Sequence, residues 1–267
     1  MTETWAQFEP LLRSAIFFGV LLLMMMWEWA APRRQRRCSV LQRWGNNLAL
    51  VFLNSALLRV LMPMSAVAWA HWVQLNGFGL FNHVHFPDWI KVIGAVMIMD
   101  MVIYWQHRLF HRIPIFWRLH RVHHVDQDID VTTGARFHSI EILLSMLIKF
   151  AVILVLGCDP FAVFLFEVIL NAMAMFNHGN VRIPLGLDKI LRNVFVTPDM
   201  HRVHHSRIVK ETNSNYGFNL SFWDRIFGSY IAQPAMGHDD MQIGVKGFDD
   251  KNQTQSLHRL LWLPFKK

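Results

Sequence analysis

The chain has 267 residues, 53% of them hydrophobic and 17% charged, with 15 Met and 11 Trp. Soluble domains carry about a quarter charged residues, so a simple soluble globule and a disordered chain are both excluded. A formal charge of +7 suits nucleic acid or an anionic membrane surface; the long apolar runs select the membrane, and no nucleic-acid partner is expected. Cys38 and Cys158 are the two cysteines and make neither a disulfide framework nor a cysteine metal site.

In chain order, the opening MTETWAQFEP lacks a basic n-region and a small-residue cleavage site, so no cleaved signal peptide is expected. Residues 11–31 are long enough to cross ~30 Å of hydrocarbon as a helix. RRQRR at 33–37, followed by Arg43, places the next loop in the cytoplasm by the positive-inside rule. A second span covers roughly 48–73, with Arg59 in need of a partner or water and a kink at Pro63. The loop 74–89 has no Lys or Arg, as expected of the far side; its His83 and His85 read as surface histidines. A third span, about 89–104, returns to the cytoplasm. Residues 140–156 and 161–176 form a helical hairpin, spanning or re-entrant, around the turn GCDP at 157–160. The polar remainder from Asn177 is placed in the cytoplasm, and RLLWLPFKK at 259–267 is either an interfacial helix or a frayed tail.

Fifteen histidines are the anomaly, ten of them between His107 and His205. HRLFH puts His107 and His111 four apart, on one helix face. HRVHH occurs twice, as His120, His123 and His124 and as His201, His204 and His205, each at i, i+3 and i+4. Eight clustered imidazoles would be costly to bury without partners. His138 and His178 each lie twenty residues from Cys158, so antiparallel helices of equal rise bring both to the mouth of the hairpin. Ten imidazoles suit two metal ions, whereas a structural zinc site needs about four ligands. Imidazole serves Fe, Zn, Cu or Ni alike. A catalytic dinuclear centre at the membrane edge implies an apolar substrate that enters from the bilayer.

Further polar groups lie beneath this cluster. Glu167, Asn171 and His178 share a helix face, which makes Glu167 and Asn171 candidates to support the site. Lys149 and Glu167, each nine residues from Cys158, are placed to pair across the hairpin. Asp100 shares a face with Tyr104, His107 and His111, and is read either as orienting a ligand or as neutralising Arg59.

HRLFH at 107, LHRVHHVD at 119, RFHSIE at 136, FNHGN at 176, TPDMHRVHHS at 197 and ETNSNYGFNLSFWDRIFGSY at 211–230 together resemble the fatty acid hydroxylase superfamily, the membrane oxygenases that include sterol desaturases. The resemblance covers roughly residues 100–230, about half the chain. The apolar runs give an all-α integral membrane protein, about three transmembrane helices within 11–106 plus the hairpin 140–176, in a single membrane domain of 1–267. The resemblance implies a four-helix-type membrane part capped by a cytoplasmic helical histidine-rich region. It implies a di-iron centre held by His107, His111, His120, His123, His124, His201, His204 and His205, with His138 and His178 matching two further elements. Ser139 stands where the family often has proline. Asn215, Tyr216 and Asp224 shape the pocket floor or serve packing and turns. The implied activity is O2-dependent hydroxylation or desaturation of a lipid. Its electrons would come from a separate ferredoxin-, cytochrome- or flavin-type donor, since the chain carries no dinucleotide fingerprint and no four-cysteine cluster site. Two rivals are a membrane haem protein and a non-catalytic histidine-rich metal-binding membrane protein.

Overall fold

The computed structural model describes residues 4–266. Ten helices carry the architecture: α1 (Thr4–Ala30), α2 (Val40–Leu61), α3 (Ala66–Leu75), α4 (Leu80–His83), α5 (Asp88–Arg112), α6 (Pro114–His124), α7 (Ser139–Leu156), α8 (Pro160–Asn177), α9 (Leu185–Leu191) and α10 (Pro198–His204). Shorter helical turns complete the chain, and the described residues contain isolated β-bridges but no strand.

Among the described residues four stretches are long and apolar enough to cross a membrane: Gln7–Ala30, Val40–His83, Ser139–Leu156 and Pro160–Asn177. The second is broken at Met62–Ser65, around the expected kink at Pro63, into α2 and α3. The expected third span lies within α5, which is not one of the four. Asp88, Lys91, Asp100, Arg108 and Arg112 interrupt its apolar run, and Asp100, Tyr104, His107 and His111 form a buried stripe on one face. The opposite face of this helix stays apolar and exposed, at Trp89, Ile93, Trp105 and Leu109.

Apolar packing joins these helices. Ala66, Ala70 and Val73 of α3, Ala95 and Met99 of α5, Ile153 and Leu156 of α7, and Ala162, Val163 and Phe166 of α8 form one buried cluster. Its small residues allow close approach where lipid supplies no hydrophobic drive. The hairpin turn is capped by Gly157 in the left-handed conformation, φ 67°. Gly79, at φ 90°, lies so close that a Cβ there would sit 2.1 Å from the Gly157 amide nitrogen. The two turns interlock only because both residues are glycine. Asp159 then caps α8 by accepting from the Phe161 amide at 2.8 Å, with Pro160 in its first turn.

The opposite end carries the polar assembly. Arg43, fully buried on α2, grips Asp126 through Nε and Nη2 at 2.9 and 2.7 Å and Asp130 through Nη1 at 2.5 Å. Arg136 donates to the carbonyls of Val122 and Thr254. These bonds fix the loop that follows α6. The 33–37 loop joins the same end: the Arg33 amide donates to Asn180 O, and Asn180 Oδ1 accepts from the Arg34 amide. The C-terminal segment is packed rather than frayed. Leu260 and Leu263 bury against Leu50, Val122 and Val125, and Arg121 donates to the Leu263 and Lys266 carbonyls. Trp262 and Phe265 stay exposed.

Candidate metal centre

The histidines reach one place because three breaks in the chain turn their helices toward it. α5 ends at Arg112, Ile113 is extended, and Pro114 opens α6, so the two helices fold back on each other. α8 ends at Asn177 with His178 at its C-cap. Thr197 caps α10, its hydroxyl accepting from the Met200 amide at 3.3 Å, and Pro198 occupies the first turn.

Two groups result. His107 and His111 of α5, His120 and His124 of α6, and His204 of α10 each offer one nitrogen, and all these atoms lie within 4.8 Å of one another. His123 of α6, His178, His201 of α10 and His205 form a second group within the same limit. All nine are buried. The groups adjoin, with the His124 and His205 rings stacked at 4.5 Å. The repeated boxes are used reciprocally. On α6 the i and i+4 residues, His120 and His124, enter the first group and His123 the second. On α10 the i and i+4 residues, His201 and His205, enter the second group and His204 the first. Residues at i+3 and i+4 diverge to opposite sides of residue i, which lets one helix serve two neighbouring sites.

The ring orientations are set from outside. His107 Nδ1 donates to Tyr216 O at 2.9 Å, His204 Nδ1 to Ser214 O at 2.7 Å and His178 Nδ1 to Ala174 O at 2.7 Å. A carbonyl only accepts, so each of these Nδ1 atoms carries the proton and each Nε2 keeps a lone pair. Glu141 Oε1 lies 2.6 Å from His120 Nδ1 and does the same for that ring. Burial keeps the imidazoles neutral, pushing His107, His120 and His178 down to about 3 and the other six well below their usual range.

These donors fit a metal. In the first group the Nε2 atoms of His107, His120, His124 and His204 are buried without any hydrogen-bond partner, as are both nitrogens of His111. In the second, Nε2 atoms face one another: His178 to His123 at 3.0 Å, His201 to His178 at 2.9 Å and His205 to His201 at 3.3 Å. Buried polar atoms seldom lack partners, and converging lone pairs repel unless a cation lies among them.

The other expected site residues are placed elsewhere. His138 is not brought to either group. Its Nδ1 accepts from the Ile140 amide at 3.2 Å, capping α7, and its Nε2 lies 3.2 Å from Leu261 O. Asp100 neither touches a histidine nor pairs with Arg59, which is exposed; it accepts from the Asn219 and Leu220 amides and from Trp223 Nε1 at 2.9 Å. Glu167 does pair with Lys149, at 2.5 Å, and also with Arg13, a partner the spacing argument did not reach. Asn171 Nδ2 donates to the Glu167 carbonyl within its own helix.

The closing segment, read from its motif alone, has a clear task. Asp224 accepts from the Tyr216 and Gly217 amides at 2.7 and 2.8 Å and from Ser229 Oγ. Asn215, the single non-glycine residue at positive φ among the described residues, is held by its side chain to Met200 O and to both backbone groups of Ile231. Both fix the turn whose Ser214 and Tyr216 carbonyls orient His204 and His107. Glu141 was legible only as part of RFHSIE, and its reach to His120 is tertiary. Gly134 is likewise invisible in sequence: a Cβ there would meet Ala174 O at 2.3 Å and His178 Nδ1 at 3.2 Å.

With this geometry in place, the comparisons agree. The fatty acid hydroxylase family model matches residues 92–229, and the chain belongs to that family. It is 36% identical over 175 residues to an ornithine lipid hydroxylase, OlsE, of Rhizobium tropici, covering 63% of this chain and 51% of that one. It is 33% identical over 147 residues to an alkylglycerol monooxygenase of Xenopus tropicalis (54% and 30%) and 28% identical over 166 residues to a lathosterol oxidase of Mus musculus (59% and 53%). The matched region thus spans about half, or less, of each relative. No solved structure matches the chain significantly.

Proposed function

We propose that the chain is a membrane-bound di-iron oxygenase that hydroxylates or desaturates a lipid, taking O2 as co-substrate and electrons from a separate ferredoxin-, cytochrome- or flavin-type donor. The observation that carries this is the pair of buried all-imidazole groups, five and four nitrogens strong, at one end of membrane-length helices. Relatives named as a lipid hydroxylase, an alkylglycerol monooxygenase and a sterol oxidase support the substrate class. Metal identity comes from the family, since imidazole alone does not choose it.

Nine residues would hold the irons: His107, His111, His120, His124 and His204 at one, and His123, His178, His201 and His205 at the other. His138 stands outside as a helix cap. The bound irons would supply O2 activation and removal of hydrogen from an unactivated carbon. The chain itself does three things. Burial keeps nine imidazoles neutral and ready as donors. Tyr216 O, Ser214 O, Ala174 O and Glu141 fix which nitrogen of four rings faces inward. The packed 126–133 loop, the 213–229 turn and the C-terminal segment close the cap and exclude water, which preserves the low dielectric such a site needs. The catalytic region of 100–230 forms one membrane domain with the helices beneath it.

The 33–37 loop supports a cytoplasmic site. Its arginines pack on the metal end of the bundle, through Arg33 to Asp199 at 3.4 Å and through the Asn180 clamp, and a loop so basic stays inside. Asn177, His178 and α10 lie on that side.

The test combines metal analysis, O2 consumption and lipid profiling. Purified protein should carry close to one iron per histidine group and show no haem absorption. Wild-type membranes should contain lipids that differ from those of a deletion strain by one oxygen or two hydrogens. Protein that holds zinc and consumes no O2 with any reductant would leave the non-catalytic metal-binding reading instead.

A further inference from the structure

A second polar site sits just beyond the end of α1, outside the histidine centre. A pocket of about 450 Å³ is lined by Arg33, Arg34, Arg36, Arg37 and Arg182, together with Pro32, Gln35 and Asp239. Its walls are two short backbone segments locked together. The Arg182 amide donates to Ala31 O and the Arg33 amide to Asn180 O, both at 2.9 Å, while Asn180 Nδ2 donates to Arg34 O. The arginines are therefore held in a concave, preformed arrangement rather than scattered along a solvated linker.

Cationic charge is in excess there. Arg33 is shared between Asp199 and Asp239, and Arg36 pairs with Glu28 at 2.9 Å. Among the described residues the side chains of Arg34, Arg37 and Arg182 form no ion pair, although the Arg37 amide donates to Asp128, and those of Arg37 and Arg182 are exposed at the pocket edge. Arg34 donates through Nη2 to Met241 O, but its Nη1 is buried and unpartnered. Burial and the neighbouring Arg202 and Arg37 charges hold Arg34 below its usual range, more than the nearby Asp128 and Asp239 offset. The surroundings are those of a membrane surface. The pocket begins two residues after the apolar helix ends at Ala30; Trp29, just before that end, is 85% exposed, and Leu185, three residues after Arg182, is 70% exposed. Exposed Trp at a helix end marks the headgroup level.

We propose that this pocket binds the phosphate headgroup of an anionic phospholipid from the adjoining leaflet. Guanidinium groups match phosphate oxygens in paired hydrogen bonds, and basic pockets at helix ends take lipid headgroups. An exposed Trp and Leu close in sequence to the pocket arginines suit the attached chains, a feature that an acidic soluble protein does not need. Asn180 and Asp199 join the pocket to the segments carrying His178 and His201, two residues away from each.

The experiment uses the full chain in neutral detergent, titrated with short-chain phosphatidic acid and read by thermal shift and native mass spectrometry. The variant is Arg37→Gln with Arg182→Gln; the control is Lys210→Gln with Arg259→Gln, basic positions away from the pocket. Wild type and control should bind one lipid saturably, and the double variant about 30-fold more weakly. Both lost guanidiniums lack partners, so the unliganded melting point should not move. Should it fall, Arg37→Lys with Arg182→Lys restores charge and should restore most of the lipid affinity. Equal lipid affinity in the variant and wild type overturns the proposal. Equal stabilisation by inorganic phosphate makes this a free-anion site and overturns the lipid assignment. Loss of binding to an acidic ferredoxin with lipid binding intact reassigns the face to an electron donor.

Discussion

Replacing Glu167 with Ala should destabilise the membrane helices without touching the metal centre. Glu167 on α8 joins α7 and α1: Oε1 takes Lys149 Nζ at 2.5 Å and Oε2 takes Arg13 Nη1 at 2.5 Å. Arg13 also pairs with Glu9 in its own helix. The side chains of Glu167 and Lys149 are 9% and 13% exposed, and that of Arg13 is 28% exposed. Removing the carboxylate leaves Lys149 without any ion pair, whereas Arg13 keeps Glu9. Stranding one member of a buried pair costs about 3–5 kcal/mol. At roughly 2–4 °C per kcal/mol for a chain of this size, the melting point should fall by about 10 °C. Lys149→Met together with Glu167→Leu removes both charges, so only the half-open Arg13 contact is lost, and the fall should be a few degrees at most, from ~1 kcal/mol or less. The assay is heating in detergent followed by size exclusion, with iron measured on the surviving fraction. A double variant as unstable as the single one refutes the pairing argument. Loss of iron from either variant, with the fold intact, would mean that Glu167 acts on the histidine groups after all.

Three further outcomes follow from the site. Glu141→Gln should weaken iron retention in the five-histidine group by about 10–100-fold on chelator challenge, because the carboxylate behind a ligand imidazole tunes its basicity; unchanged retention removes Glu141 from the site. His138→Ala should lower stability by ~1 kcal/mol through the lost cap on α7, with iron content unchanged; loss of iron would make His138 a ligand. Acid should unfold the metal-free protein. His107, His120 and His178 titrate near 3 when folded against 6.5 when free. Between those values only the unfolded chain takes up their protons, so the histidine contribution to stability rises with pH across the window and levels off above it; the raised carboxylates of Asp100 and Asp224 oppose it in part. Melting of chelated protein at pH 5 and pH 7.5 tests this, and identical curves refute it.

Much was decided by local pattern. Apolar runs of membrane length, the GCDP turn and the charged loop at 33–37 are properties of contiguous residues, and α1, α7 and α8 follow them closely. The i, i+3, i+4 spacing of each box likewise needs only the helix repeat to put its histidines on one face. Equal distance from the turn correctly paired Lys149 with Glu167, because antiparallel helices rise at the same rate. The same symmetry placed His138 beside His178, and there it was not enough: depth is one coordinate, and His138 turns to cap α7 while His178 enters the second group.

What the tertiary structure alone decided is which histidine serves which group. Both boxes read HRVHH, yet α6 sends its i and i+4 rings to one group and α10 sends its own to the other. Identical letters on two helices cannot state from which side each helix faces a common point; that depends on how the Pro114 elbow and the Thr197–Pro198 start orient them. The partners that fix the rings are equally distant in sequence, as with Tyr216 O for His107 and Glu141 for His120. A sequence reports the donors and their local phase. The convergence of four segments on two points is set by long-range packing, which no local periodicity encodes.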